Sequence, residues 1–204
     1  MVKSLREENL EKIITLETKM LRELNTDEPI AENTIPAFRR MRWMTYSVLS
    51  DRTVELWKET IENAVLQGRN VLQEKYAMIG GQMPLPDCGE AACCQIFSSP
   101  VDKREQLCNN PHIDKIVQIE ARWQQTAADA YPNAIQRPKD NIFKKYMVCE
   151  LYTWSAEAIY SYSEDVDQAV AECRNLAIER YDNLYASIGK GSLAEVEKIS
   201  RSKD

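Results

Sequence analysis

Two stretches of this chain, K-I-I-T-L-E-T-K-M at residues 12–20 and K-I-V-Q-I-E-A-R-W at 115–123, each set a glutamate inside an apolar run. An α-helix turns about 100° per residue. On that period Leu10, Ile13, Ile14, Met20, Leu21 and Leu24 form one stripe, with Glu17 near its centre. Ile113, Ile116, Val117, Trp123 and Ala127 form a second, with Glu120 at the same place. Glu150 is central to a third, made by Phe143, Tyr146, Met147, Leu151 and Trp154. An ionised carboxylate at a core position is costly unless a cation, a hydrogen-bond donor or a metal meets it. Arg42, Arg39-Arg40, Lys144-Lys145, Arg69 and Arg174 are the candidate cations, and Asn70 and Asn175 the candidate amides.

Three chemistries fit such acids. One is a salt-bridge network that fixes helix register. Another is a polar pocket for a small ligand, lined by Glu17, Glu120, Glu150, Glu74 and Arg42. The third is a divalent metal at Glu17, Glu120 and Glu150, where an all-carboxylate set suits Mg²⁺ or Mn²⁺ and one carboxylate acts as general base. Ferritin-like di-iron bundles need two Glu-x-x-His motifs. The chain has a single histidine, His112, and no such motif.

A separate cluster lies in residues 81–112, where Cys88, Cys93, Cys94 and Cys108 precede His112 with spacing C-x4-C-C-x13-C-x3-H. Thiolates and an imidazole can hold zinc or an iron–sulfur cluster, so Cys88, Cys93, Cys108 and His112 are candidate ligands. Small buried thiols in a turn, with His112 in the first turn of the next helix, account for the same residues without a metal. Cys149 and Cys173 read as core, as do Trp43, Trp57, Trp123 and Trp154. There is no Gly-rich phosphate loop, G-x-S-x-G or H-E-x-x-H.

The elements that would hold these groups are helices. Ser4 with Glu7 makes a capping box that opens a helix to about residue 25. N-T-I-P opens another near Pro36. A third runs from about Ser50-Asp51 to Gly80-Gly81. After the irregular segment, helices are expected at about 113–130, from about 141, and from Ser163-Glu164 to Ile188. Ser192 with Glu195 caps a short final one. Nothing alternates as a strand would.

The halves resemble each other. Glu17 matches Glu120 at an offset of 103, and F-R-R-M at 38–41 matches F-K-K-Y at 143–146 at 105. A-V-L-Q-G-R-N-V-L-Q-E-K-Y at 64–76 matches A-V-A-E-C-R-N-L-A-I-E-R-Y at 169–181, with six identities in thirteen positions. The expectation is one all-α domain over 1–204: a helical bundle of two related three-helix units, about 10–80 and 113–188, plus a C-terminal helix. The repeated units would pack about a pseudo-twofold axis, with Glu74 and Glu179 off the main apolar stripes.

A net charge of −6 argues against a nucleic-acid-coating protein. No run reaches the roughly 18 apolar residues of a membrane helix. The start M-V-K-S-L-R lacks an apolar signal core, which leads to an expected cytoplasmic location. There six cysteines stay reduced.

F-R-R-M-R-W (38–43), G-R-N-V-L-Q-E-K-Y-A-M (68–78), I-E-A-R-W (119–123) and E-L-Y-T-W-S (150–155) together resemble a bacterial helical family, the domain of unknown function 4125. The resemblance spans most of residues 10–197. It brings no activity with it. Some relatives are joined to nucleotidyltransferase-like domains, which implies an accessory or substrate-binding role. The resulting expectation is a cytoplasmic accessory or small-ligand-binding protein, taking a small molecule or a protein partner. An Mg²⁺/Mn²⁺ carboxylate enzyme and a thiolate Zn or Fe–S protein are the alternatives.

Overall fold

Most of the helices begin where the sequence supplies a side-chain cap. In the computed structural model, which describes residues 3–26, 29–82, 110–137 and 142–201, Ser4 and Glu7 form the expected reciprocal box ahead of α1 (Leu5–Arg22). Pro36 sits in the first turn of α2 (Ile35–Tyr46), where its missing N–H costs nothing. Ser50 caps α3 (Asp51–Leu66) through the Thr53 N–H. Asn70 caps α4 (Val71–Ile79) through two amides. Asn110 opens α5 (Pro111–Ala130), and α6 (Ile142–Leu151) follows. Ser155 opens α7 (Ala156–Ala171) and Asn175 opens α8 (Leu176–Ser187). Helix α9 (Leu193–Arg201) ends the described chain. Among the described residues there is no strand, so the protein is all-α.

Two expected helices differ in their bounds. The helix expected from 50 to 80 is two, α3 and α4. The chain turns at Gly68, whose φ of +67° is open to glycine, and Asn70 restarts the helix. The helix expected from Ser163 starts eight residues earlier, since Ser155 is the cap and Ser163 lies buried inside α7. That helix breaks at Cys173, φ +55°, and Asn175 restarts it as α8. Both breaks carry the same sequence mark, Gly68-Arg69-Asn70 and Cys173-Arg174-Asn175. Apolar runs on either side disguise it as one continuous helix.

Helices α1 and α5 are the two hubs. Helix α1 packs on α2, α3 and α4, and α5 packs on α6, α7 and α8. Contact between the two groups comes from α3 on α7, α2 on α8 and α4 on α6, while α9 covers α8. The buried apolar side chains form one cluster to which every one of these helices contributes, from Leu10 and Ile13 on α1 to Leu193 on α9. The buried faces of the hubs are the stripes that carry Glu17 and Glu120, and both acids are fully buried.

Candidate functional site

Two ion-pair centres occupy the core, and each is a glutamate, an arginine and a tyrosine. In the first, Arg42 on α2 grips Glu17 with Nε on Oε2 (2.9 Å) and Nη2 on Oε1 (2.6 Å). The Tyr46 hydroxyl donates to the same Oε1 at 2.6 Å. It in turn accepts from the Trp57 indole N–H at 2.9 Å and from Arg42. Arg42 also binds Glu150 on α6, whose other oxygen takes the Lys75 ammonium from α4. Two carboxylates thus meet two cations and the centre carries no net charge. That closure is what allows charged groups to be held out of water.

In the second centre Arg180 on α8 spans Glu120, with Nη1 on Oε2 at 2.6 Å and Nη2 on Oε1 at 2.7 Å. The Tyr162 hydroxyl donates to Oε1 at 2.6 Å and accepts from Arg180 at 2.9 Å. Arg180 Nε reaches back to the Thr45 carbonyl on α2 at 3.3 Å. A paired fork of this kind uses the planar guanidinium fully. Aromatic rings fill the space between the centres. Trp57 stacks on Trp154 at 4.4 Å, and Trp154 lies 5.7 Å from Tyr162 and 6.4 Å from Tyr46. The buried Trp154 indole N–H has no hydrogen-bond partner among the described residues.

The electrostatics follow from burial and pairing. Burial alone would raise the Glu150 carboxyl, but Arg42 and then Lys75 outweigh it and hold the group well below the ordinary carboxylate range. Burial would lower Arg42, and Glu150 and Glu17 reverse that, keeping it firmly protonated. For Arg180 burial likewise opposes, and Glu120 wins. Burial lifts the Tyr46 and Tyr162 phenols well above their ordinary range, so both stay neutral donors.

The structure therefore gathers Glu17, Arg42 and Glu150 in one place and sets Glu120 in a separate pair. Glu74 stands apart, held by the Arg69 guanidinium at 2.7 and 2.8 Å, as Glu179 is by Arg174. Among the described residues no three His, Cys, Asp or Glu side chains lie together as a metal would need. His112, on α5, is hydrogen-bonded through Nδ1 to Ser163 Oγ at 2.8 Å. Cys88, Cys93 and Cys108 lie outside the described residues. Arg180 and Lys75 are not among the cations expected to meet these acids. The similar triplets Glu74-Lys75-Tyr76 and Glu179-Arg180-Tyr181 held the signal, since the base beside each of these acids is the residue that turns inward.

An open groove of about 560 Å³ lies elsewhere, where the N-terminal ends of α3, α5 and α7 come together. Its walls include Arg52, His112, Glu157, Tyr160, Ser161 and Glu164, and Leu56 adds an apolar surface. Thr53 on α3 ties the wall together by bonding Ser161 Oγ at 2.8 Å and Asp165 at 2.7 Å on α7.

A family model described as protein of unknown function (DUF4125) matches residues 7–198. No curated protein and no solved structure matches the chain. With nearly its whole length covered by that one model, the chain belongs to the DUF4125 family.

Proposed function

We propose that the protein is a cytoplasmic accessory or small-ligand-binding module, and that its ligand sits in the groove between α3, α5 and α7. The observation that carries this reading is the contrast in pairing. In the core each acid already faces a cation: Glu17 and Glu150 meet Arg42 and Lys75, and Glu120 meets Arg180. In the groove, Glu157 and Glu164 have no partner among the described residues, and Tyr160 is 52% exposed. The core centres act as fasteners between helices distant in sequence, and the groove is where unspent polar chemistry faces outward. Its volume falls within the range usual for small-molecule sites.

The same reading includes one domain built by internal duplication. Asn70 and Asn175, 105 positions apart, do the same double duty. Each caps a helix and donates to the hub helix behind it, at Met20 O and Trp123 O. Each half holds four helices rather than three on this reading, because the third expected helix is broken in both.

The test is a thermal-shift screen of the purified chain against amino acids, amines, nucleotides, sugars and organic acids, with metal content measured on the same protein. A ligand that binds only the folded state at a hundred times its Kd adds about 2.7 kcal/mol, which is a clear upward shift in Tm. A screen with no shift overturns the reading. So does near-stoichiometric Mg or Mn that is lost in the Glu17→Gln, Glu120→Gln double variant, which would return the carboxylates to the enzyme alternative.

A further inference from the structure

Resting on the ligand-binding reading above, we propose that the groove between α3, α5 and α7 binds a zwitterionic amino compound of amino-acid to dipeptide size. Its ammonium group lies on the α7 wall and its anionic end toward Arg52 on α3.

The α7 wall presents Glu157, Tyr160 and Glu164, spaced i, i+3 and i+7 on one helical face. Both carboxylates are exposed and unpaired among the described residues, and they flank an aromatic ring left half open to solvent. An arene with carboxylates on either side is a receptor for an organic ammonium group, which gains from the ring face and from both charges. The ring is not loose. His112 meets it edge to face at a centroid distance of 5.1 Å, and His112 is itself fixed by Ser163. A fixed, exposed arene is preorganised for a ligand, which lowers the ordering cost of binding.

The opposite wall has the opposite sign. Arg52 is 66% exposed along its side chain, and its one ion pair among the described residues, to Glu55, is long at 3.6 Å. Its guanidinium is free to take a carboxylate in bidentate fashion. The first turns of α3, α5 and α7 open on the same groove, and a helix N-terminus favours negative charge. A simple anion would meet two unpaired carboxylates. A simple polyamine would meet Arg52 and three helix N-termini. A ligand carrying both charges satisfies both walls, and Leu56 and Ala156 offer apolar contact to the body between them.

The experiment is an NMR titration of the isotope-labelled full chain with free L-amino acids and their glycyl dipeptides. Spermidine and inorganic phosphate serve as single-charge controls. The expected result is saturable shifts at groove residues with at least one zwitterion. Affinity should fall about tenfold in the Glu157→Gln, Glu164→Gln double variant and again in Arg52→Ala. All three residues are exposed, so the variants fold. Zwitterions that bind in the groove with affinity unchanged by these variants would overturn the assignment. So would spermidine or phosphate binding there while every zwitterion fails. Ligands that bind elsewhere on the chain overturn the groove alone. A chain that binds nothing in the wider screen overturns the ligand-binding reading itself.

Discussion

Replacing Arg180 by methionine tests the central claim about the core, that its acids are tolerated because each is matched. Glu120 is fully buried and accepts three hydrogen bonds, two of them from Arg180. The change Arg180→Met leaves the carboxylate in place with one donor, Tyr162, and no cation. It also strips the Thr45 carbonyl of its partner. Breaking a buried pair from one side costs about 3–5 kcal/mol, because the remaining charge is neither solvated nor compensated. At about 2–4 °C per kcal/mol for a chain this long, Tm falls by roughly 6–20 °C. The double variant Glu120→Leu, Arg180→Met removes both charges and keeps the volume, and should return to within about 1–2 kcal/mol of the wild type. Urea denaturation followed by far-UV circular dichroism gives all four corners of the cycle. The coupling should be at least about 2 kcal/mol. If Arg180→Met costs under about 1 kcal/mol, or the two changes simply add, then water reaches this pair and the fastener argument is wrong.

Glu150 should carry a pH signature. Its carboxyl is held below the ordinary value of 4.5 in the folded state, so its stabilisation is fully present at neutral pH and is lost as pH falls below about 4.5 toward the folded pKa. Glu150→Gln should therefore destabilise at neutral pH by roughly 2–4 kcal/mol, since Arg42 and Lys75 lose their shared acid, and the gap to wild type should narrow on acidification. A gap that is flat with pH would deny the pairing. Cys173 holds a left-handed φ of +55°, a conformation that Gly68 adopts at the other helix break. Cys173→Gly should stabilise by about 0.5–1 kcal/mol, and Gly68→Ala should cost about 1 kcal/mol, both read from denaturation midpoints. Asn175→Ala removes a double cap and the bond to Trp123 O and should cost about 1–2 kcal/mol, while leaving the effect of Arg69→Ala unchanged in combination.

Much of this was legible in the residues, and the part that was not has a physical reason. Periodicity located the stripes of α1 and α5 and their central acids, because a helix face is a local property of the sequence. Arg42 was visible as a partner for Glu17 because both lie in the first half and the bundle leaves few cations inside. Arg180 and Lys75 were not, because their partners are set by which helices cross, and crossing is decided by the whole packing. Lys75 and Arg180 sit at corresponding positions, 105 apart, yet one binds Glu150 and the other Glu120. No alignment of the halves predicts that divergence. The groove was invisible for the same reason, since its three walls come from α3, α5 and α7. The breaks at Gly68 and Cys173 were hidden by apolar runs on both sides.

The crossings of α2 on α8 and α4 on α6 impose an order of events on synthesis. Arg42 must wait for a partner 108 positions downstream, and the Thr45 carbonyl for one 135 positions downstream. At ordinary translation rates that interval is on the order of ten seconds. In the later part of that interval α1–α4 is already made, while Arg42 and Lys75 still lack their shared carboxylate and the surfaces that α6 and α8 cover are open. Uncovered surfaces of this kind are the general reason that growing chains need protection from aggregation. Truncation between Glu120 and Arg180 leaves a product in which Glu120 lacks the guanidinium that matches it in the full fold.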